Sequence, residues 1–359
     1  MKAQIAVIKG DGIGVEIIDG ALSVLEKIEQ KFSHSFECKE VLMGGAAIDA
    51  VGEPLPNETL KVCKDSNAVL FGAIGGAKWD KQPPNKRPEA GLLRLRKELG
   101  LFANLRPATL LPQLATSSPL KAEILAQGID FIMVRELIGG IYFGEHKRLE
   151  IDGEENAQDT LLYSVSQITQ IVKVAFELAN SRAKRLVCVD KANVLESSRL
   201  WREVVQSVAK AYPAVKFEFM LVDNAAMQLC KNPAQFDVIV TENMFGDILS
   251  DEASVLTGSL GVLPSASLRD DKFGLYEPIH GSAPDIAGKD LANPIGTILS
   301  LAMLLELSLG LVNEAKVVRS AINAVLDKGY RTADIMSEGC EQVGCAKMSE
   351  LICKALEEL

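Results

Sequence analysis

The feature of this sequence that most constrains its fold is a regular alternation of short apolar segments with longer segments of helical periodicity. The predicted strands are residues 4–8, 68–73, 131–135, 186–190, 217–222 and 237–241, and the predicted helices are residues 15–32, 165–181, 199–212, 315–328 and 348–359. Alternation of this kind predicts an α/β fold around a largely parallel sheet. The chain has 359 residues, which is enough for two such domains.

The charge balance narrows the classes of partner. The chain carries a formal net charge of -10, with 48% hydrophobic and 24% charged residues. Nucleic-acid binding requires a surplus of Lys and Arg, so we expect no nucleic-acid partner. An acidic chain can still bind a small anion where its arginines converge, which makes any arginine cluster informative.

The cysteines and the longest apolar segment indicate where in the cell the protein is expected to lie. The seven cysteines are scattered without a Cys-x-x-Cys pair, and no secretory signal precedes the first predicted strand. We therefore predict reduced thiols and a cytoplasmic location. Residues 295–312 approach the length of a membrane span, but they contain Glu306, Gly296 and Gly310, which favours a buried core helix and no membrane partner.

Two segments interrupt the alternation. Residues 78–88 are polar and rich in proline, which predicts an exposed loop. Residues 149–161 contain Asp152-Gly153, a strong turn signal between strand-like flanks, and predict a hairpin. Since this hairpin has few apolar residues, we expect it to lean on another surface, which composition alone does not assign to this chain or to a second subunit.

The first glycine cluster, at residues 10–14, follows a predicted strand and precedes a predicted helix. It differs from a Rossmann dinucleotide fingerprint because the third glycine position falls on Val15. Asp11, at the centre of the turn, would also repel a pyrophosphate. We interpret the cluster as a tight strand-to-helix turn.

A second small-residue loop, at residues 280–288, is the better candidate for a cofactor. Pro284 occupies a plausible first helical position, and free backbone N–H groups at such a start can hold a phosphate. Asp285 suits the two hydroxyls of an adenosine ribose and would repel a 2′-phosphate, which favours NAD over NADP. An ordinary Gly/Pro turn is the alternative interpretation.

Two aspartates are the first candidates for a metal site. Asp247 and Asp251 are four residues apart, so on a helix their carboxylates share a face. Their mutual repulsion would be reversed by a hard cation such as Mg2+ or Mn2+, which prefers oxygen ligands. An N-cap at Asp247 and a solvated helix face are the alternatives.

Polar residues also end two of the predicted strands. Asp223 follows residues 217–222, and Lys191 follows Asp190 at the end of another strand. Ligands of open α/β sheets gather beyond the carboxyl ends of the strands, where a lysine can act as a general base. Helix capping by Asp223 and a solvated position for Lys191 are the alternatives.

The basic candidates include Arg135, which directly follows an apolar strand and therefore needs a partner. Arg106 lies in a second apolar segment, and Arg96 lies on a short helix together with Arg94 and Lys97, which we expect to be solvated. Three converging guanidinium groups can clamp a dicarboxylate bidentately.

Several of these segments match a known sequence pattern. The chain resembles the β-decarboxylating dehydrogenases that act on isocitrate and isopropylmalate, and the similarity covers nearly its whole length in order. The matching segments are GDGIG (10–14), LRKELGLFANLRP (95–107), VRELIGGIYFGEH (134–146), VDKANVLESSRLWREVV (189–205), VTENMFGDILSDEASVLTGSLGVLPSASL (240–268) and GLYEPIHGSAPDIAGKDLANPIGTILSLAMLLE (274–306).

The resemblance implies a fold and an assembly. The family's fold is distinct from the Rossmann fold, with two α/β domains that share a large mixed sheet and an active site in the cleft. It implies a cofactor-binding domain of residues 1–103 plus 256–359 and a second, dimerisation domain of residues 104–255. It also implies a homodimer with shared active sites, in which an arm hairpin near 149–161 clasps the partner.

The resemblance also implies a role for each candidate residue. Tyr142 and Lys191 match the catalytic pair, and the resemblance implies that Lys191 reaches across the dimer into the partner's active site. The substrate ligands are Arg96, Arg106, Arg135 and Asp223; the metal ligands are Asp247 and Asp251 of one subunit with Asp223 of the other; and the NAD ligands are Ile13, Gly76, Glu89, His280, Gly281, Ser282, Ala283, Asp285 and Asn293. The sequence departs from the family pattern at Lys9, usually Pro, and at Ile138, usually Thr.

The activity implied is NAD-linked, Mg2+- or Mn2+-dependent oxidation of a small 2-hydroxy dicarboxylate, with loss of its β-carboxylate as CO2. Leu92, Leu93 and Val194 match positions that face the substituent on the β-carbon, and their apolar side chains favour the isopropyl group of 3-isopropylmalate, an intermediate of leucine biosynthesis. An (R)-malate or tartrate dehydrogenase is the alternative. A non-catalytic regulatory subunit is disfavoured because all the catalytic residue types are retained.

Overall fold

The computed structural model describes residues 1–359. Its strands are β1 (Lys2–Gly10), β2 (Ser35–Glu40), β3 (Ala68–Ala73), β4 (Ala103–Thr109), β5 (Asp130–Glu136), β6 (His146–Ile151), β7 (Glu154–Asp159), β8 (Arg185–Asp190), β9 (Lys216–Leu221), β10 (Val238–Thr241), β11 (Pro264–Leu268), β12 (Gly274–Pro278), β13 (Tyr330–Arg331) and β14 (Glu341–Gln342). Its α-helices are α1 (Gly14–Phe32), α2 (Gly45–Val51), α3 (Asn57–Asp65), α4 (Pro88–Glu98), α5 (Ala122–Leu125), α6 (Val165–Ser181), α7 (Glu196–Ala209), α8 (Val222–Lys231), α9 (Asn243–Leu256), α10 (Ile295–Met303), α11 (Val312–Asp327) and α12 (Cys345–Glu358).

The chain divides into two compact units. Unit 1 contains Met1–Leu101, Leu111–Ser118 and Thr257–Leu359, and unit 2 contains Phe102–Leu110 and Pro119–Leu256. The division predicted from the sequence, 1–103 plus 256–359 and 104–255, differs mainly in residues 111–118, which it placed in the second domain. These residues belong to unit 1, where the Gln113 side chain donates a hydrogen bond to Asp327.

Unit 1 is built on a mixed sheet with the strand order β2-β1-β3-β12-β11. The pairs along it are parallel, except that β11 and β12 are antiparallel. Strand β3 is buried along its whole length, as expected of a central strand covered on both faces. One face of the sheet packs on a core that includes Phe71, Leu95 and Leu275.

Unit 2 contains a second mixed arrangement with the order β4-β5-β10-β8-β9. Strands β4 and β5 are antiparallel, and the other neighbours are parallel. The core of this unit includes Phe131 and Phe236, whose rings meet edge to face. The α/β fold class with mixed sheets is thus confirmed, and strands β5, β8 and β10 direct their carboxyl ends toward the same edge.

Strands β6 and β7 form a separate antiparallel hairpin. Ile151 pairs with Glu154, so Asp152 and Gly153 form a two-residue turn, and both have positive φ angles, 54° and 81°. This conformation is that of a type I′ turn, for which Asp-Gly is a preferred sequence. The predicted hairpin is confirmed, although it begins at His146, before the predicted start.

The apolar segment at residues 295–312 does not form one helix. Helix α10 continues into a π-helical turn at Leu304–Ser308, and Gly310, with a φ of 69°, ends it before α11. Most of α10 is buried, which agrees with a core helix. No helix in the structure combines the length and the apolar character that crossing a membrane requires.

Candidate active site

The two aspartates of helix α9 form the centre of the site in unit 2. The helix starts at Asn243, because the Glu242 carboxylate accepts hydrogen bonds from the backbone N–H groups of Met244 and Phe245 at 3.2 and 2.9 Å. Asp247 therefore lies in the second turn and does not cap the helix. Asp247 and Asp251 share one face, as predicted, with side chains 35% and 67% exposed.

Two arginines meet this acidic pair. The Arg135 guanidinium, which is almost fully buried at the end of β5, donates to Asp247 and to the Asn243 side-chain oxygen. Arg106 of β4 donates to the Ser250 hydroxyl at 2.7 Å and to Asp251 at 2.9 Å. The guanidinium groups offset the repulsion between the two carboxylates. Asp247 and Asn243 are the partners that allow the charged Arg135 to follow an apolar segment of β5.

Tyr142 completes this group. Its hydroxyl donates a hydrogen bond to the second carboxylate oxygen of Asp247 at 3.0 Å. Burial, and then the negative charge of Asp247, raise the pKa of the Tyr142 phenol. The phenol is therefore held in its protonated form, as a proton donor requires.

Lys191 and Asp223 form a second pair in unit 2. The Lys191 ammonium group donates to an Asp223 carboxylate oxygen at 2.7 Å, and this contact is the main cause of the lowered pKa of Asp223. Asp223 lies in the first turn of α8, and the N-cap position of this helix is occupied by Leu221. Val194 lies three residues after the lysine and is 62% exposed.

Hard oxygen donors are present for a divalent cation, but they are divided between these two places. Asp247 and Asp251 present partly exposed carboxylates on one helix face, which suits Mg2+ or Mn2+. No group of three or more His, Cys, Asp or Glu side chains that could hold a metal ion exists within the chain. The metal site that the resemblance implies, with Asp223 of a second subunit as third carboxylate, stays a prediction.

The third predicted substrate arginine lies in unit 1. Arg96 of α4 donates to the buried carboxylate of Glu277 at 2.6 Å, and its Nε is buried without a hydrogen-bond partner. On the same helix Leu93 is 48% exposed, whereas Leu92 packs partly against the core of unit 1. Arg94 and Lys97 are exposed, as predicted.

The first glycine turn is a structural junction of unit 1. The buried Asp11 carboxylate accepts hydrogen bonds from the backbone N–H groups of Gly45, Ala46 and Gly75 at 2.7–2.9 Å. Gly12 has a φ of 57°, and an added Cβ would lie 2.0 Å from the Ser282 carbonyl oxygen. The interpretation as a tight turn between β1 and α1 is confirmed, and the turn packs directly on the loop predicted to bind NAD.

The predicted NAD ligands at this junction lie close together. Ile13 donates its backbone N–H to the Ser282 carbonyl at 2.8 Å, and the Ser282 hydroxyl donates to the Gly75 carbonyl at 2.7 Å. Gly76 follows, and the Glu89 carboxylate lies beside Gly75. Their role as cofactor ligands stays a prediction.

The prediction that a helix begins at Pro284 is wrong. Residues 284–290 form consecutive turns, with bonds from the Ile286 N–H to the Ala283 carbonyl and from the Lys289 N–H to the Ile286 carbonyl. Positive φ angles at Ala283 and Gly288 prevent helical propagation. A phosphate would therefore meet loop N–H groups and no helix N-terminus.

The other predicted NAD ligands have distinct environments. Burial lowers the pKa of His280, so the neutral ring donates from Nδ1 to the Gly281 carbonyl and leaves Nε2 buried without a partner. Asp285 is exposed and free to meet a ribose. Asn293 donates to Asp334 and accepts the Ile295 N–H, so it caps α10. The unpartnered ring nitrogen and exposed carboxylate fit a polar cofactor.

Several residues of the site were missed by sequence reasoning. Asn243 and Ser250 hold the two arginines, and Glu277 holds Arg96. Glu136 was also missed. It directly follows Arg135 and is buried, and a second charged residue at the end of an apolar strand was the one sequence signal that could have identified it. The departures from the family pattern are local, since the Lys9 ammonium pairs with Asp19 and Glu40 at 3.0 and 3.2 Å.

Two arginines and a tyrosine around two aspartates of one helix suit an α/β dehydrogenase of acidic substrates, the class that the sequence motifs suggest. A model of the isocitrate/isopropylmalate dehydrogenase family matches residues 4–352. The chain therefore belongs to this family and is an oxidoreductase, which confirms the resemblance.

Individual relatives agree with this assignment. The chain is 63% identical over 356 residues to the 3-isopropylmalate dehydrogenase of Helicobacter hepaticus, with 99% of this chain and 100% of the relative covered. It is 58% identical over 349 residues to that of Clostridium acetobutylicum, with 97% and 98% covered. Among solved structures, isocitrate dehydrogenase from Methylococcus capsulatus is similar with a TM-score of 0.85 and 32% identity, covering 99% of each chain. A β-decarboxylating dehydrogenase from Thermococcus kodakarensis has a TM-score of 0.81 and 36% identity, with 99% and 96% covered.

Proposed function

We propose that the protein oxidises and decarboxylates (2R,3S)-3-isopropylmalate to 4-methyl-2-oxopentanoate, with reduction of NAD, in leucine biosynthesis. The observation that carries this proposal is the convergence of Arg106, Arg135 and Tyr142 on Asp247 and Asp251. The names of the relatives at 63% and 58% identity support the choice of substrate.

The arginines bind the carboxylates of the substrate. Arg106 and Arg135 both contact the acidic pair of unit 2, and both guanidinium groups are mostly buried, which strengthens charge-assisted hydrogen bonds. The unpartnered Nε of Arg96 is a further donor for a carboxylate. Planar guanidinium groups also fix the orientation of the substrate, which lowers the entropic cost of reaction.

Lys191 and Tyr142 carry out the two proton transfers of the reaction. Lys191 assists removal of the proton from the 2-hydroxyl, directly or through a water, while Asp223 orients its ammonium group from 2.7 Å. After CO2 has left, Tyr142 delivers a proton to the former β-carbon. The raised pKa of its phenol keeps that proton in place until the carbanionic centre develops.

Asp247 and Asp251, with Asp223 of a second subunit, would hold Mg2+ or Mn2+. Such an ion supplies Lewis-acid polarisation of the 2-hydroxyl oxygen and stabilises the negative charge that develops during decarboxylation. The donor set of carboxylate oxygens matches the preference of these cations. Asp247 accepts hydrogen bonds from both Arg135 and Tyr142, so it connects an arginine that binds a substrate carboxylate with the tyrosine that donates the proton.

NAD would bind to unit 1 through the loop at residues 280–293 and through Ile13, Gly76 and Glu89, and it supplies the hydride acceptor. The exposed carboxylate of Asp285 would accept hydrogen bonds from ribose hydroxyls and would repel the 2′-phosphate of NADP. The small residues of this loop let backbone N–H groups approach a phosphate closely.

The choice of substrate rests on the apolar side chains. Leu93 and Val194 are 48% and 62% exposed, which leaves them available to the substituent on the β-carbon. An isopropyl group fits such a surface, whereas the third carboxylate of isocitrate would lose its water without gaining a cation. A stranded charge costs several kcal/mol, but a missing methylene only about 1–3 kcal/mol.

We also propose that the protein works as a homodimer with shared active sites. Helices α8 and α9 pack together and expose Met227, Ile248 and Val255, which are 56–60% exposed. Exposed apolar side chains on adjacent helices are typical of an interface. The hairpin β6–β7 has almost no core of its own, as expected for an arm that leans on a partner.

The test is a substrate panel. The purified protein should reduce NAD with 3-isopropylmalate only when Mg2+ or Mn2+ is present, and reduce NADP far more slowly. D-malate and tartrate should give lower kcat/KM values, and isocitrate no turnover. A higher kcat/KM for D-malate would make the substrate assignment wrong, and the (R)-malate alternative correct, while the family assignment would stand.

A further inference from the structure

A cluster of two carboxylates around one phenol lies inside unit 2, apart from the groups assigned above. The Tyr163 hydroxyl lies 3.0 Å from a carboxylate oxygen of Glu136 and 3.3 Å from one of Glu242. The two glutamates are 1% and 5% exposed, and Tyr163 is 6% exposed. Buried carboxylates are rare unless a cation or a proton compensates them.

One additional proton completes the hydrogen bonds between the phenol and both carboxylates, whose oxygens otherwise accept only backbone N–H groups. The Tyr163 oxygen accepts the backbone N–H of Asn243 at 3.0 Å, and its own proton can serve one carboxylate only. If both glutamates were ionised, one carboxylate oxygen would face the phenol oxygen with no proton between them. A proton on Glu242 removes this conflict, since Tyr163 then donates to Glu136 and accepts from Glu242.

The surroundings of the pair favour a bound proton. Burial is the main cause that raises the pKa of Glu136 and of Glu242. Arg135 opposes this at Glu242, but its guanidinium is already engaged by Asp247 and Asn243. The phenol of Tyr142 is uncharged. The Asp190 carboxylate, which lines the same recess as Glu242, is paired with the Arg202 guanidinium through two hydrogen bonds.

The cluster is bound to the segments that carry the proposed catalytic groups. Glu136 accepts the backbone N–H groups of Ile138 and Gly139 at 2.7 and 2.9 Å, at the start of the loop that leads to Tyr142. An added Cβ at Gly140 would lie 2.5 Å from the Tyr163 hydroxyl, so the loop rests directly on the phenol. Glu242 caps helix α9, which carries Asp247.

Asn243 connects the cluster with Arg135 and with the loop that leads to Tyr142. Its backbone N–H binds Tyr163, its side-chain oxygen binds Arg135, and its side-chain nitrogen donates to the Gly139 carbonyl at 3.2 Å. Arg135, the loop that leads to Tyr142 and the start of α9 are therefore joined by one buried hydrogen-bond network. Such networks fix geometry when every member is satisfied.

We propose that Glu136, Tyr163 and Glu242 are positioning residues that share one bound proton at neutral pH and thereby hold Arg135, the Tyr142 loop and helix α9 in register. Their role in turnover rests on the proposed function, but the shared proton does not, since it depends only on the burial of the two carboxylates and on their contacts with Tyr163.

The first experiment detects the proton without any substrate. Infrared spectra of protein labelled with 13C at the glutamate carboxyl should show, at neutral pH, the carbonyl band of a protonated carboxylic acid. The variants Glu136→Gln and Glu242→Gln should each lose intensity in this band, because the remaining glutamate is then ionised and accepts a hydrogen bond from the Tyr163 hydroxyl. The matched control is Glu314→Gln, a buried glutamate that pairs with His34 and should leave the band unchanged.

Unchanged band intensity in both Glu136→Gln and Glu242→Gln would overturn the shared proton. If one of these variants does not fold, the other still decides, and near-ultraviolet circular dichroism identifies which spectra are valid. A failure of the protein to act on 3-isopropylmalate would leave this result untouched, so the two proposals fail separately.

The second experiment measures the positioning role. Tyr163→Phe removes the hydroxyl that binds Glu136 and the Asn243 N–H, and it should lower kcat by roughly tenfold or more. The change in KM for NAD should be smaller, because unit 1 is unaltered. Glu242→Gln should retain more activity than Glu242→Ala, since the amide can still donate to the Tyr163 oxygen and cap α9. Equal losses in the two Glu242 variants, or an unchanged kcat in Tyr163→Phe, would exclude the positioning role.

Discussion

At the scale of single residues, the site depends on carboxylates that serve more than one partner. One oxygen of Asp247 accepts from Arg135 and the other from Tyr142, while Asp251 accepts from Arg106. Lys191 and Asp223 form their own pair on other elements. A single substitution therefore removes a charge and also releases its partner, so kinetic effects of these residues will not add.

The proposed general base gives the sharpest prediction at this scale. Lys191→Ala should lower kcat by about 10²–10⁴-fold, the range for loss of a positioned acid or base, while the Kd for NAD stays within about twofold of the original value. Stopped-flow NADH formation and NAD titration measure the two quantities. The control is Lys210→Ala, an exposed lysine at the end of α7, and it should have normal kinetics. Full activity of Lys191→Ala would remove this lysine from the mechanism.

At the scale of elements, the strand-to-helix turn at residues 10–14 connects stability with the cofactor loop. Asp11 gathers three backbone N–H groups from two other loops, and Gly12 lies against the backbone of Ser282. The turn thus holds the loop at residues 280–288 by contacts that leave no space for a side chain.

Gly12→Ala should therefore damage both stability and NAD binding. The new Cβ would lie 2.0 Å from the Ser282 carbonyl oxygen, and the φ of 57° is unfavourable for alanine. Gly52→Ala is the matched control, because Gly52 has a φ of 79° and nothing within 4 Å of the added Cβ. The control should lose about 1–2 kcal/mol of unfolding free energy with normal NAD affinity. Urea denaturation and NAD titration should show a larger loss in both quantities for Gly12→Ala; equal behaviour of the two variants would contradict this.

At the scale of the whole molecule, the proposed metal site divides its three aspartates between two subunits and predicts that activity depends on association. One chain supplies Asp247 and Asp251 on α9 and Asp223 on α8, but it gathers no three acidic groups in one place. The exposed apolar side chains of these same helices are the surface on which two copies would meet. Dilution below the dimer Kd should consequently abolish turnover.

Subunit complementation tests this arrangement directly. Lys191→Ala and Tyr142→Phe should each be inactive alone, yet mixed dimers formed by refolding together should contain one intact site. Random pairing gives half mixed dimers, so the mixture should recover about a quarter of the wild-type activity. Absence of any recovery, with mixed dimers demonstrated by mass spectrometry, would place Tyr142 and Lys191 of one active site in the same chain.

The sequence by itself determined those features that depend on neighbours a few residues apart. The 3.6-residue period placed Asp247 and Asp251 on one helix face, Asp152-Gly153 specified the turn of the hairpin, and the missing third glycine excluded a Rossmann fingerprint. Strand β3 and helix α6 were predicted with their observed bounds, because an uninterrupted apolar segment and a Ser164 capping box are local signals.

Only the tertiary structure decided the contacts between distant segments. Arg106 and Asp251 are 145 residues apart, and Tyr163 and Glu242 are 79 apart, so no periodicity relates them. The turns at residues 284–290 and the place of residues 111–118 in unit 1 likewise follow from packing against other segments. Local hydrogen bonds and side-chain periods encode the elements, whereas the free energy of bringing two buried charges together depends on everything that surrounds them.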